Sequence, residues 1–127
     1  MREAIQLSIN NDLGGPFGAV IVDNKSGKII GKGRNMVVGH NDPTAHAEVS
    51  AIRDATKNIE NFMLNGTTIY SSCEPCPMCL AAIYWARIDK IVYANDREDA
   101  KKIGFDDSKI YEEVAKPIHG SVAAQLV

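Results

Sequence analysis

His46-Ala47-Glu48 and Pro75-Cys76-Pro77-Met78-Cys79 constrain this chain more than any other segments, because their chemistry is useful only if the fold brings them together. One imidazole and two thiolates are the protein ligands of an open zinc site. A structural zinc is normally closed by four protein ligands, whereas three leave a position for water. A carboxylate beside such a site can move protons while zinc-activated water attacks an electrophilic carbon. Thiolates at i and i+3 on a first helical turn face the same way, and the helix N-terminus favours their charge. His46 and Glu48 stand at i and i+2, which point about 200° apart on an ideal helix, so they can share a site only at the extreme start of one. The required fold therefore has two helix starts converging on one ion.

The rest of the chain can supply them. Ala4, Ile5 and Ile9 share one helical face, and Gly14-Gly15-Pro16 stops that short amphipathic helix. Phe17–Val22 is an apolar run of strand length. Asn24-Lys25-Ser26-Gly27 has turn composition, and residues 29–33 return as the second strand of a hairpin. From Thr44 the spacing becomes helical through Ala47, Ala51, Ile52 and Ala55, with Asp42 or Thr44 available as a cap and Pro43 tolerated in the first turn. Thr67–Ser71 reads as a third strand, a helix is predicted from Cys76 through Ala86, and residues 90–94 read as a fourth strand. Strand, helix, strand implies a parallel pair joined by a crossover. Residues 96–102 and 109–115 are polar and helix-prone, while the last ten residues give no clear pattern. The result is an α/β domain with a mixed sheet, and a chain of 127 residues is expected to form one domain over residues 1–127.

Composition narrows the function. A formal charge of -2 leaves no bulk electrostatic footprint for nucleic acid. The N-terminus is polar where a signal peptide needs an apolar core, and no later stretch reaches membrane-spanning length, so a cytoplasmic location is expected. Three cysteines, two of them in a Cys-x-x-Cys, read in a reducing compartment as metal or redox chemistry before disulfide. A thioredoxin-like use of Cys76 and Cys79 would leave His46 and Glu48 unexplained. Cys73, Cys76 and Cys79 also form the spacing of an iron–sulfur run, but such a run needs a fourth thiolate that the chain lacks. Cys73 reads instead as a small buried residue at a strand end.

His-x-Glu with Pro-Cys-x-x-Cys is the signature of the zinc nucleobase deaminases. Within that cytidine deaminase-like superfamily the chain most closely resembles bacterial guanine deaminases. The resemblance runs over Gly14–Val20, Asn41–Glu48, Ser72–Cys79, Ala82–Arg87 and Gly104–Ser108, and covers most of the chain from Gly14 to about Pro117. The metal motif specifies the superfamily, and Gly104-Phe105-Asp106-Asp107-Ser108 points to the guanine branch. The resemblance implies a three-layer α/β/α sandwich with a mixed five-stranded sheet. It implies one Zn2+ held by His46, Cys76 and Cys79, with Glu48 as the catalytic proton shuttle. Matching positions imply that Asn35, the Ala47 backbone amide and Asp107 hydrogen-bond the base while Phe17 and Trp85 enclose its ring. Taken singly, Asp107 could equally cap a helix before Lys109, Asn35 could be a turn residue, and Phe17 and Trp85 could be core residues.

The expected reaction is hydrolysis of guanine to xanthine and ammonia, with Glu48 passing a proton from water to N3 and then to the leaving nitrogen. A tRNA adenosine deaminase shares the metal motif but needs a basic groove. A cytosine deaminase differs only in pocket contacts. A non-catalytic zinc-stabilised module would need a fourth protein ligand, for which Cys73 or His40 is available. The family pattern continues beyond Val127 into a segment that helps to close the pocket. Exposed Ile and Val in the hairpin would favour a homodimer.

Overall fold

In the computed structural model, residues 1–116 are described, and residues 117–127, with the unassigned last ten among them, lie outside the description. The elements follow in the order α1 (Arg2–Ser8), β1 (Gly18–Asp23), β2 (Ile29–Arg34), α2 (Ala47–Ile59), β3 (Thr67–Cys73), α3 (Pro77–Trp85), β4 (Lys90–Asn95), α4 (Arg97–Lys102) and α5 (Ser108–Val114). The sheet order is β2-β1-β3-β4. The hairpin β1/β2 is antiparallel, β1 also pairs antiparallel with β3, and β3 runs parallel to β4 across the α3 connection.

Both faces of β1 are covered. Gly18 faces α1, where an added Cβ would lie 2.2 Å from the Ala4 carbonyl oxygen. The neighbouring positions of the pleat point the other way, toward α2 and α3. Ala19 and Ile21 join Ala47, Ala51, Ala55, Leu64, Ile69, Ile83 and Ala86 in one core. Strand β1 is thus apolar without alternation because helices pack on each side. Among the described residues the sheet has four strands, not the five expected from the resemblance. After β4 the chain turns into α4 and α5, and β4 itself is mostly exposed.

Two glycines of β2 set the position of α2. A Cβ on Gly33 would stand 2.3 Å from the Ala47 carbonyl oxygen and 2.4 Å from the Ala51 nitrogen. One on Gly31 would stand 2.6 Å from the Ala51 oxygen and 2.6 Å from the Ala55 Cβ. The alanines recur at i and i+4 and are all at most 1% exposed, so a smooth ridge lies against the two glycines of the strand. This close approach carries the start of α2 over the sheet.

Helix α2 begins later than its cap candidates suggest. His46 is its N-cap, and neither Asp42 nor Thr44 caps it. The Asp42 carboxylate instead accepts bonds from the Thr44 amide at 2.9 Å and the Thr44 hydroxyl at 2.7 Å, forming a turn ahead of the helix. Helix α3 likewise begins one residue after its predicted start, at Pro77, with Cys76 as N-cap. No helix among the described residues is long and apolar enough to cross a membrane.

Candidate active site and metal centre

Both N-cap positions carry ligand-type side chains instead of capping ones. His46 and Cys76 each have extended backbone, and neither makes a conventional side-chain cap bond. They meet across the gap between α2 and α3. His46 Nδ1 lies 3.5 Å from Cys76 Sγ and 3.5 Å from Cys79 Sγ, and the donor atoms of the three residues lie within 4.8 Å of one another. The candidate closing ligands stand apart: His40 is exposed, and Cys73 directs its thiol to the Asp96 carbonyl oxygen at 3.7 Å. Burial pushes the Cys73 thiol up to about 11.

The paired thiols ionise unequally. The Cys79 thiol hydrogen-bonds Cys76 and holds it down to about 4, with His46 adding to the effect. The same contact, then burial, holds the Cys79 proton on. His46 is raised, chiefly by its hydrogen bond to Cys76. Two sulfurs and an imidazole nitrogen, gathered where two helix N-termini converge, match the borderline-soft donor set preferred by Zn2+. A dication there would displace the remaining thiol proton. The residues present fit zinc, and three protein donors leave one tetrahedral position for a small ligand.

Glu48 lies in the first turn of α2 and is 6% exposed. Burial raises its pKa, and hydrogen bonds from Cys79 and Ser71 pull in the opposite direction. The Ser71 hydroxyl, itself fully buried, donates to Glu48 Oε1 at 2.8 Å. That bond anchors the carboxylate through Oε1 beside the ligand cluster. Ser71 was not singled out in the sequence, although strand alternation from Ile69 puts it on the α2 face.

A cavity of about 760 Å3 opens over this cluster and is lined by His46, Glu48 and Cys76 together with Asn35, Ala47, Phe17 and Asp107. Asn35 Oδ1 accepts the Val37 backbone N–H at 3.1 Å, which leaves its Nδ2 hydrogens for a ligand. Ala47 opens α2, where first-turn amides lack intrahelical acceptors. Asp107 is the N-cap of α5 but makes no side-chain cap bond. Its carboxyl is raised by burial and by the negative Cys76 nearby. Phe17 packs edge-on against Phe105, with ring centroids 4.9 Å apart and planes at 88°. Phe105 is a second ring of the cavity wall that the sequence alone did not assign.

Trp85 is the exception. It ends α3, is 76% exposed, does not line the cavity, and lies beneath the Arg87 guanidinium at 6.0 Å. Helix phase explains this: Cys79, Ile83 and Ala86 take the buried side of α3, and Trp85, two positions after Ile83, points away.

The family model described as the cytidine and deoxycytidylate deaminase zinc-binding region matches residues 1–95. The chain belongs to this deaminase family. Membership agrees with the ligand triad and removes the redox reading of Cys76 and Cys79. The chain is 53% identical over 120 residues to the guanine deaminase of Bacillus subtilis, covering 92% of this chain and 76% of that protein. The X-ray structure of guanine deaminase from Bacillus subtilis superposes with a TM-score of 0.92 at 49% identity, over 99% of this chain and 82% of that one. The tRNA-specific adenosine deaminase of Haemophilus influenzae is 41% identical over 117 residues, covering 87% of this chain and 67% of that protein.

Proposed function

We propose that the chain is a single-domain, zinc-dependent guanine deaminase that hydrolyses guanine to xanthine and ammonia. The observation that carries the substrate assignment is Asp107, a partly buried carboxyl at the cavity wall whose side chain is not spent on capping its helix. A carboxylate accepts the N–H donors of guanine, while Asn35 Nδ2 and the Ala47 amide donate to its oxygen and ring-nitrogen acceptors. Phe17 lies against the ring. The 53% identity to the Bacillus subtilis guanine deaminase supports the same assignment.

Zinc held by His46, Cys76 and Cys79 would supply a water acidic enough to react at neutral pH. Glu48 supplies the proton traffic. Its carboxylate accepts a proton from the attacking water and delivers it to N3 as the C2–O bond forms. A second transfer through Glu48 protonates the exocyclic nitrogen, the C2–N bond breaks, and ammonia leaves. A carboxyl whose pKa is raised by burial is better matched to giving and taking a proton near neutrality.

We further propose a cytoplasmic homodimer. The exposed apolar residues proposed to support it are not those of the hairpin, where Val20 and Ile21 are at most 2% exposed and only Ile29 reaches 41%. They are Phe62, Tyr84 and Trp85, at 79%, 69% and 76%. Light scattering on the purified protein tests the dimer, and a monomer mass removes it. The substrate is tested by ammonia release from guanine, adenine, cytosine and tRNA, with zinc content measured on the same sample. Release from guanine is expected; release from another base alone would overturn the substrate and leave the metal centre standing.

A further inference from the structure

The loop between α1 and β1 contains a polar side chain that the mechanism does not use. Asn11 Nδ2 donates to the Gly15 carbonyl at 2.8 Å and to the Asn35 carbonyl at 2.8 Å. Its Oδ1 accepts the Leu13 amide at 3.2 Å. Gly15 O also accepts the Phe17 amide at 2.9 Å, and Phe17 O accepts the Asn35 amide at 3.1 Å. One side chain thus closes a circuit through Gly15, Phe17 and Asn35, all three of which line the cavity.

The circuit presses Gly14 onto the Asn35 side chain. A Cβ at Gly14 would lie 2.0 Å from Asn35 Oδ1 and 2.8 Å from its backbone oxygen. On its other side, Oδ1 takes the Val37 N–H at 3.1 Å. A backbone N–H can pair only with the oxygen of an amide, so a flipped Asn35 would set two donors against each other. With Oδ1 occupied and Gly14 covering it, Asn35 offers the cavity donors only.

We propose that Asn11 is a positioning residue: by tying Gly15 to Asn35 it holds the Asn35 amide as a donor, and so selects bases carrying an oxygen acceptor over analogues carrying an amine there. This rests on the guanine reading. It extends that reading to a residue that need not touch the substrate. An amine facing a fixed donor leaves buried polar groups unpaired, which is the strong form of discrimination.

The test compares the zinc-loaded wild type with Asn11→Ala, Asn11→Asp and Gly14→Ala on guanine and on 2,6-diaminopurine, which has an amine in place of the C6 oxygen. Asn11→Asp keeps the acceptor for Leu13 and removes both donors of the tie. In both Asn11 variants the guanine-to-diaminopurine ratio of kcat/KM is expected to fall about tenfold, the equivalent of one lost hydrogen bond. The fall should come mainly through a higher KM for guanine, with zinc content unchanged. Gly14→Ala, which displaces the Asn35 side chain directly, should lower the same ratio. A ratio that stays within twofold of wild type in both Asn11 variants overturns the proposal, whether or not total activity drops.

A readout independent of substrate separates this proposal from the guanine reading. The Asn35 side-chain NH2 signals in a 15N spectrum should be dispersed in the wild type and collapse toward free-amide positions in Asn11→Ala. If the wild type does not deaminate guanine, the guanine reading fails and the NH2 signals alone decide the role of Asn11. Unchanged signals in Asn11→Ala remove that role.

Discussion

The two walls of the cavity are built in opposite ways. The wall that carries His46, Glu48, Cys76 and Cys79 stands on the starts of α2 and α3, whose inner faces are fully buried against the sheet. The wall that carries Phe105 and Asp107 stands on α4 and α5, neither of which buries a residue. The first is set by close packing of alanine on glycine, where a misplacement of one methyl group is felt. The second is held by a capping box between Asp96 and Asp99 and by exposed ion pairs such as Lys102–Asp99 at 3.7 Å, which are individually weak. It joins the metal side through few points: the Arg97 amide on Glu74 Oε1 at 3.1 Å, the Tyr111 hydroxyl on the Pro75 carbonyl at 3.3 Å, and the Phe17–Phe105 edge contact. The proposed reaction chemistry therefore falls on the rigid side, and the proposed base contacts divide between Ala47, Asn35 and Phe17 beside it and Asp107 on the adaptable side.

That division can be broken at several points. Glu48→Gln is expected to retain zinc and lose about 1,000-fold or more in kcat, since it removes the proton carrier and keeps its shape. Near wild-type turnover in a metal-replete Glu48→Gln protein would defeat the mechanism. Asp107→Asn should cost about 100-fold in kcat/KM for guanine, through KM, without a shift in melting temperature or metal content. A loss confined to kcat would move Asp107 to the chemical side of the site. Gly33→Ala should destabilise the fold by about 1–3 kcal/mol by forcing α2 off β2, and a thermal melt reads it directly. An unchanged melt would mean that the rigid wall is not rigid. Ser71→Ala is expected to lower kcat about tenfold with KM and zinc content preserved, as one oxygen of Glu48 loses its anchor, and Ser71→Thr should restore it. At the small end, Lys109→Ala should shift stability by less than about 0.5 kcal/mol and leave turnover unaltered.

The same contrast explains what could be read from the sequence. His46, Cys76 and Cys79 were legible because metal coordination demands particular residue types at particular spacings, and few other arrangements satisfy both. The hairpin and the parallel β3/β4 pair were legible because Phe17–Val22 and residues 67–71 and 90–94 are apolar or β-prone runs bounded by turn residues. The caps were misread because Asp42 and Thr44 are good capping residues, while His46 and Cys76 occupy the cap positions for another reason. Ser71 looked like an ordinary strand residue, and its meaning depends on α2 lying over β3. Asn11 sits in a loop whose contacts span from Gly15 to Asn35, which no local pattern reports. Trp85 illustrates the limit of resemblance: a matching position carries over a residue, but helix phase and surroundings decide where its side chain goes.

The two uncapped helix starts have a consequence for how the protein matures. A side-chain cap is worth about 1 kcal/mol, and α2 and α3 both forgo one. Their first turns contain the Ala47 amide, Glu48 and Cys79, so the segments least supported by the chain alone carry most of the chemistry. Zinc, by joining the two caps, takes over the task of finishing both helices. Loading the metal is therefore expected to firm up the catalytic residues, and its removal to loosen the two helix starts before the sheet. Amide exchange at residues 47–50 and 77–80 should quicken on chelation while β1 and β3 stay protected, which makes zinc a checkpoint on the finished enzyme as well as a participant in its reaction.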